Sequence, residues 1–332
     1  MPEFIEESSG SSPADFLDLG TSCLYNPGSA KVFYSRVKMS VSQRSVFVVF
    51  PFLLLVSGLT LLGAEELNVL MIGNSFSQSL FGMLEPVAES VPDCRIHLEG
   101  IVIPGCSLEQ HWNNILAEEA NRDSRFFPDF TYREKLESRP WDYVSIQQKS
   151  PISWIAESYW PWAGNLTGYI RKYAPTAEPV IQQTWSYRPD DRRLSEWNMT
   201  QSEMDEKVFA AYRQAADKLG LRVLPVGLAV KLARAEQPGG YQAFRPADYT
   251  YPDLPDINRY FTGQLSWSKD KTRIEGDTYH LNLRGRYLQA CVWFAFLFGR
   301  SAEEITYVPE GISGEDARFM RRVADEAVQQ YR

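Results

Sequence analysis

The chain has 332 residues, 44% of them hydrophobic and 23% charged, with a net charge of −8 at neutral pH and a pI near 5.2. This is enough apolar material for one large globular domain or two small ones. The acidic balance argues against a nucleic-acid binder that relies on a basic surface.

Residues 1–38 are polar and irregular, rich in Ser, Gly and Asp, and read as a disordered or mis-called N-terminal extension. Met39 opens a different pattern: Arg44 is basic, Val46 to Leu62 is almost wholly apolar, and Gly63 and Ala64 are small. That layout predicts a signal peptide over 39–64, cleaved near Ala64, with translation starting at Met39. It places the protein in the secreted or periplasmic space, with no stable membrane insertion after cleavage. The alternative is an N-terminal membrane anchor, but the segment is short for a span and holds Pro51 and Gly58. Residues 65–332 are then the folded domain. It keeps Cys94, Cys106 and Cys291, an odd number and a poor disulfide framework. Cys94 and Cys106 flank a predicted strand that would hold them roughly 30 Å apart, too far to bridge.

Leu67 to Ile72 is an apolar run broken by Gly73, which predicts a buried strand leading into a tight turn. A helix is expected over 78–90, a second strand over 95–103 and a helix over 107–120, where Ser107 and Gln110 match a capping box. Further strands are expected over 142–147, 179–184 and 221–226. Helices are expected within 159–173, over 201–219 closed by Gly220, and over 228–236. Residues 237–276, rich in Pro, Gly, Tyr and Asp, read as a long loop over one edge of the sheet, with its role as a lid left open. Helices over 281–298 and 315–330 complete the chain. Strands alternating with helices predict an α/β fold, a three-layer α/β/α sandwich around a five-stranded parallel sheet.

No dinucleotide or phosphate-loop glycine motif follows a strand, and no G-x-S-x-G elbow is present. Ser75 is the first chemical candidate. On the turn after the first strand it could attack a substrate at the carboxyl edge of the sheet, with its own N–H facing an oxyanion. Asn74, Ser75 or Ser77 could equally serve as a helix cap. Asp277-Thr-Tyr-His280 is the second candidate. At a helix N-terminus the carboxylate could hold one ring nitrogen and leave the other as a base. The bland reading is an Asp N-cap with a surface His. His111 is expected to be structural and Cys106 buried filler. With three His in the chain and no Cys/His spacing of a zinc site, no metal or other cofactor is expected.

Gly73-Asn74-Ser75-Phe76-Ser77, Gly105 after the second strand, a polar amide after the third, and D-x-x-H before the last long helices fall in the order found in SGNH (GDSL-like) hydrolases. The chain resembles that superfamily over about 67–299. It looks closest to an uncharacterised bacterial secreted branch with a G-N-S-F-S first block, related to carbohydrate acetylesterases such as sialate O-acetylesterase-like proteins. The resemblance implies a flavodoxin-like fold and a serine esterase acting on ester groups, O-acetyl groups on carbohydrates in particular. It implies Ser75 as nucleophile, His280 as base and Asp277 as its orienting partner. It also implies an oxyanion hole of Ser75 N–H, Gly105 N–H and an amide from Gln147, preferred narrowly over Gln148. Two departures stand out: Asn74 replaces the usual Asp, and Ile146-Gln147-Gln148 replaces Gly-x-Asn-Asp. They leave open a catalytically weak or inactive glycan-binding protein on the same fold. A flavodoxin-like cofactor binder is a third reading. Asn74, Trp154, Trp160, Trp185 and Tyr187 are candidate substrate contacts, since flat rings on the carboxyl edge can stack on sugars. Packing against the 237–276 loop is the equal alternative for these rings. The expected partner is a small-molecule or glycan ester, not a nucleic acid.

Overall fold

The computed structural model describes residues 65–121, 123–237 and 242–331. The extension expected over 1–38 and the signal peptide expected over 39–64 lie outside the described residues.

Five parallel strands form the central sheet: β1 (Glu65–Gly73), β2 (Cys94–Val102), β3 (Tyr143–Ile146), β4 (Glu178–Gln182) and β5 (Arg222–Leu224), in the order β2-β1-β3-β4-β5. This is the flavodoxin-like order, and its switch point lies between β1 and β3, where open α/β sheets gather ligands at their carboxyl ends. Val69 to Ile72 of β1 are buried and pair with Tyr143 to Ile146 of β3. Both faces of β1 are covered, which is why its sequence is a continuous apolar run and not an alternation. Each such buried aliphatic contributes roughly 1.5–3 kcal/mol.

The connecting helices are α1 (Ser75–Gln78), α2 (Leu84–Glu89), α3 (Leu108–Ala120), α4 (Tyr132–Glu137), α5 (Trp162–Tyr173), α6 (Arg192–Glu196), α7 (Gln201–Leu219), α8 (Val226–Glu236), α9 (Leu283–Phe298) and α10 (Gly314–Gln330). One group of contacting helices comprises α2, α8, α9 and α10, and another α3, α4, α5 and α7. They are the two outer layers of the sandwich. The capping box at Ser107 and Gln110 is formed, and Gly220 ends α7 in the left-handed region at φ 63°. No described helix is long and apolar enough to cross a membrane. The three cysteines of the described residues are buried and unbridged by any disulfide.

Two expectations are corrected. The helix expected over 78–90 begins at Ser75 and is split into α1 and α2 by turns around Gly82, whose φ of 70° suits glycine. The loop expected over 237–276 carries strand β6 (Thr262–Trp267) and the start of β7 (Ile274–Leu281), which form an antiparallel hairpin. β7 contacts α1, at the carboxyl end of β1.

Candidate active site

The turn after β1 settles which residue is the cap. Asn74 is extended and its Oδ1 accepts from Phe76 N–H at 3.1 Å, so Asn74 caps α1. The Ser75 hydroxyl is thereby left for other work. Ser75 Oγ lies 2.8 Å from His280 Nε2. The other ring nitrogen, Nδ1, lies 3.3 Å from Asp277 Oδ2. Asp277 Oδ1 accepts the backbone N–H groups of His280 at 2.8 Å and Tyr279 at 3.0 Å. Burial raises the Asp277 carboxyl, but the hydrogen bonds from His280 and the backbone outweigh it and hold it below its ordinary value.

Asp277 and His280 are not at a helix N-terminus as expected; both are on β7. Residues three apart on a regular strand face opposite sides. Here the pairing slips: Gln264 of β6 opposes Asp277 while Thr262 opposes Leu281, so four steps on β7 match two on β6. This bulge brings the carboxylate and the imidazole to one side. The loop after β4 braces the bulge. Trp185 Nε1 donates to Tyr279 O at 2.7 Å and Arg188 N–H donates to Thr278 O at 3.1 Å. Asp191 accepts from the Thr278 hydroxyl and from Arg193, whose guanidinium lies 4.2 Å over the Tyr279 ring.

Gly105 lies in the turn after β2 at φ 66°, a conformation that calls for glycine. Asn74 Nδ2 donates to Cys106 O at 3.0 Å and ties this turn to the Ser75 turn. The N–H groups of Ser75 and Gly105 find no acceptor among the described residues. The Cys106 thiol is buried and pushed up to about 12 by desolvation, so it stays protonated and is no rival nucleophile.

The two glutamines expected as oxyanion donors are committed elsewhere. Gln147 is fully buried; its Nε2 donates to Asn74 Oδ1 at 2.8 Å and, longer, to Gln148 O at 3.4 Å. Its Oε1 accepts from Ser77 Oγ and from Gln182 Nε2, both at 2.7 Å. Gln148 Nε2 donates to Ser158 O at 2.8 Å, and its Oε1 accepts from Lys149 and Leu108 N–H. An amide has two protons to give, and both glutamines give theirs to protein acceptors. Gln182 and Gln289 extend the network: Gln289 Nε2 and Trp293 Nε1 both donate to Gln182 Oε1, and Gln289 Nε2 also reaches Phe76 O. Neither was anticipated from sequence, though Ile181-Gln182-Gln183 repeats the Ile146-Gln147-Gln148 strand ending.

His111 is structural. It is buried, its Nε2–H donates to Gly73 O at 3.0 Å, and its Nδ1 accepts from the Tyr132 hydroxyl at 2.7 Å. The carbonyl can only accept, which fixes that tautomer. Burial lowers the imidazole to about 4.

Ser75 and His280 line a cleft of about 420 Å³, with Phe76, Gln78, Ser79, Trp185, Gln264, Leu281 and Arg286. Of the expected aromatic contacts only Trp185 borders it, and its buried ring stacks on Phe76 at 4.2 Å. Tyr187 is buried, hydrogen-bonded to Ser150 Oγ. Trp154 packs against Trp197, and Trp160 lies under Lys218. Trp154 and Trp160 do not line the cleft, and the loop after β4 turns the rings of Trp185 and Tyr187 inward against β7. Among the described residues no group of His, Cys, Asp and Glu is arranged to hold a metal.

The sequence profile described as "Domain of unknown function (DUF4886)" matches residues 68–275. The chain belongs to the DUF4886 family. The matched stretch contains Ser75 and Gly105 and ends before Asp277 and His280. A solved DUF4886 family protein from Bacteroides uniformis ATCC 8492 is 27% identical, with a TM-score of 0.62, covering 80% of this chain and 95% of that one. The parallel sheet and flanking helices are thus shared within the family. Two more distant structures are similar at lower scores. A protein from Slackia heliotrinireducens provisionally described as an SGNH hydrolase is 22% identical, covering 69% of this chain and 98% of that one, with a TM-score of 0.43. An acetyl xylan esterase is 13% identical, covering 70% of this DUF4886 chain and all (100%) of that one, with a TM-score of 0.39. No curated protein matches the chain.

Proposed function

We propose that this DUF4886 protein is a serine esterase whose nucleophile is Ser75. The observation that carries the reading is the contact of 2.8 Å between Ser75 Oγ and His280 Nε2, with Asp277 behind the ring. With the Nδ1 proton donated to Asp277, Nε2 is a free acceptor, and it takes the hydroxyl proton as Ser75 attacks the ester carbonyl. The Ser75 and Gly105 N–H groups receive the oxyanion. His280 then passes its proton to the leaving alcohol, and water, deprotonated by the same ring, releases the acid. Glutamine supplies no third donor. Gln147 acts one step back, by holding Asn74, which joins the two turns that carry the donors.

The finer reading is an O-acetylesterase acting on carbohydrates outside the cytoplasm. It rests on the resemblance of the motif order to SGNH hydrolases and on the secretory layout of residues 39–64, with 65–332 as the catalytic domain. The retained N-terminal anchor is the alternative for localisation. The test is hydrolysis of p-nitrophenyl acetate and labelling by a fluorophosphonate. Ser75→Ala and His280→Ala should each lose about 10⁴-fold or more in turnover, and Ser75→Ala should abolish labelling. Ester cleavage at the wild-type rate by Ser75→Ala would refute the assignment. A glycan-binding protein without turnover is favoured by one observation, the commitment of both glutamine amides. An unlabelled, inactive wild type would establish that reading instead.

A further inference from the structure

We infer that the Ser75 cleft takes esters bearing a carboxylate and that Arg286 binds it. This rests on the esterase reading and names its substrate class. Arg286, on the first turn of α9, lines the same cleft as Ser75 and His280. Its side chain is fixed by the turns that follow α1: Nε donates to Ser79 O at 2.9 Å and Nη2 to Phe81 O at 3.2 Å. Those two bonds use two of the five N–H groups of a guanidinium. Both protons of Nη1 remain, and no carboxylate pairs with Arg286 among the described residues.

Its neighbour on α9, Arg284, is by contrast held by Asp316, and Arg188 and Arg193 in the segment after β4 are held by Asp190 and Asp191. The remaining lining groups, His280 aside, are neutral. A lone, pre-oriented cation on the wall of a concave site focuses its field there and attracts anions. With its Nε–Nη2 edge occupied, the guanidinium presents its Nη1–Nη2 end, whose parallel N–H groups match a carboxylate. A neutral ester leaves that end to water; a carboxylate-bearing one fills it. A charge-assisted contact of this kind is worth about 10- to 100-fold in binding.

The experiment is inhibition of p-nitrophenyl acetate hydrolysis by glucuronate and by glucose, which differ in one carboxylate. For the wild-type chain, glucuronate should inhibit at about 10-fold lower concentration or less, and the advantage should shrink as salt is raised. In Arg286→Gln the advantage should fall to within about 3-fold of none, and Arg286→Lys should restore part of it. A purely structural Arg286 would shift both inhibition constants together and leave their ratio and its salt dependence alone. Equal inhibition of the wild type, or an advantage that survives Arg286→Gln, overturns this inference while hydrolysis itself upholds the esterase. Absence of hydrolysis by the wild type overturns both.

Discussion

Acid should loosen the support beneath Ser75, and His111 sets how much. The ring is buried between Gly73 O and the Tyr132 hydroxyl, and desolvation lowers it from 6.5 to about 4. Between these values the unfolded chain binds a proton that the folded chain refuses. Stability from this group is therefore complete above the unfolded value and is lost as pH falls toward the folded one. A gap of this size amounts to about 3 kcal/mol over the whole window, of which about 2 kcal/mol is lost by about pH 5. Other groups titrate in the same range, so the comparison is with His111→Gln, whose amide can still donate to Gly73 O but cannot ionise. Urea unfolding at about pH 8 and about pH 5 should show the wild type losing about 2 kcal/mol more than the variant, whatever their absolute stabilities. Parallel pH dependence for the two proteins would mean that His111 is solvated enough to protonate in place, and the argument would fail.

Gly73→Ala should be costly without any charge or positive φ being involved. A Cβ there would lie 2.2 Å from Ser77 Oγ, so Ser77 must turn away from Gln147. The expected loss is about 1–3 kcal/mol by thermal or urea unfolding; a neutral result would mean that the turn moves freely. Gln147→Ala strands the Ser77 hydroxyl and the Gln182 amide in the interior and leaves Asn74 Oδ1 with only the Phe76 N–H. It should lower stability by about 3 kcal/mol, read from the urea midpoint, and reduce turnover only through displacement of Asn74. Unchanged stability with turnover lost by about 100- to 1,000-fold would instead make Gln147 a direct oxyanion donor.

The fold was legible where one physical signal acted alone. β1 is an apolar run because the sheet is covered on both faces, and α7 ends where Gly220 takes the left-handed conformation. The hairpin escaped because its strands are largely solvated: Thr-Gly-Gln-Leu-Ser-Trp and Ile-Glu-Gly-Asp-Thr-Tyr-His-Leu show no sustained apolar alternation. The juxtaposition of Asp277 with His280 was anticipated from helical spacing, yet a bulge produces it, and bulges leave no periodic trace. Residue type identified Gln147 as an amide near Ser75. It could not tell an amide facing the cleft from one lying beneath it, because a buried amide and an exposed one differ in partners, not in pattern. The aromatic loop failed likewise: Trp185 and Tyr187 are at the right end of the sheet with their rings turned inward.

The departures at positions 74 and 147 are intelligible as a pair. Asn74 uses both ends of its amide, donating to Cys106 O and accepting from Phe76 N–H and Gln147 Nε2. An ionised aspartate could cap α1 as well, but it has no proton for the Cys106 carbonyl and would leave the Gly105 turn untied. It would also place a buried charge against the Gln147 amide and the Cys106 carbonyl. Gln147 in turn must reach past Ser77 to Asn74 while accepting from Gln182, which needs a longer arm than asparagine offers. The buried chain from Asn74 through Gln147 and Gln182 to Gln289 is neutral throughout, so its hydrogen bonds do not depend on pH. Its members satisfy one another, which is the condition under which a buried polar network rigidifies its surroundings. Position 74 and position 147 therefore specify each other: an amide at one leaves an acceptor that an amide at the other completes, and the Ser75 turn is held without a charge beneath it.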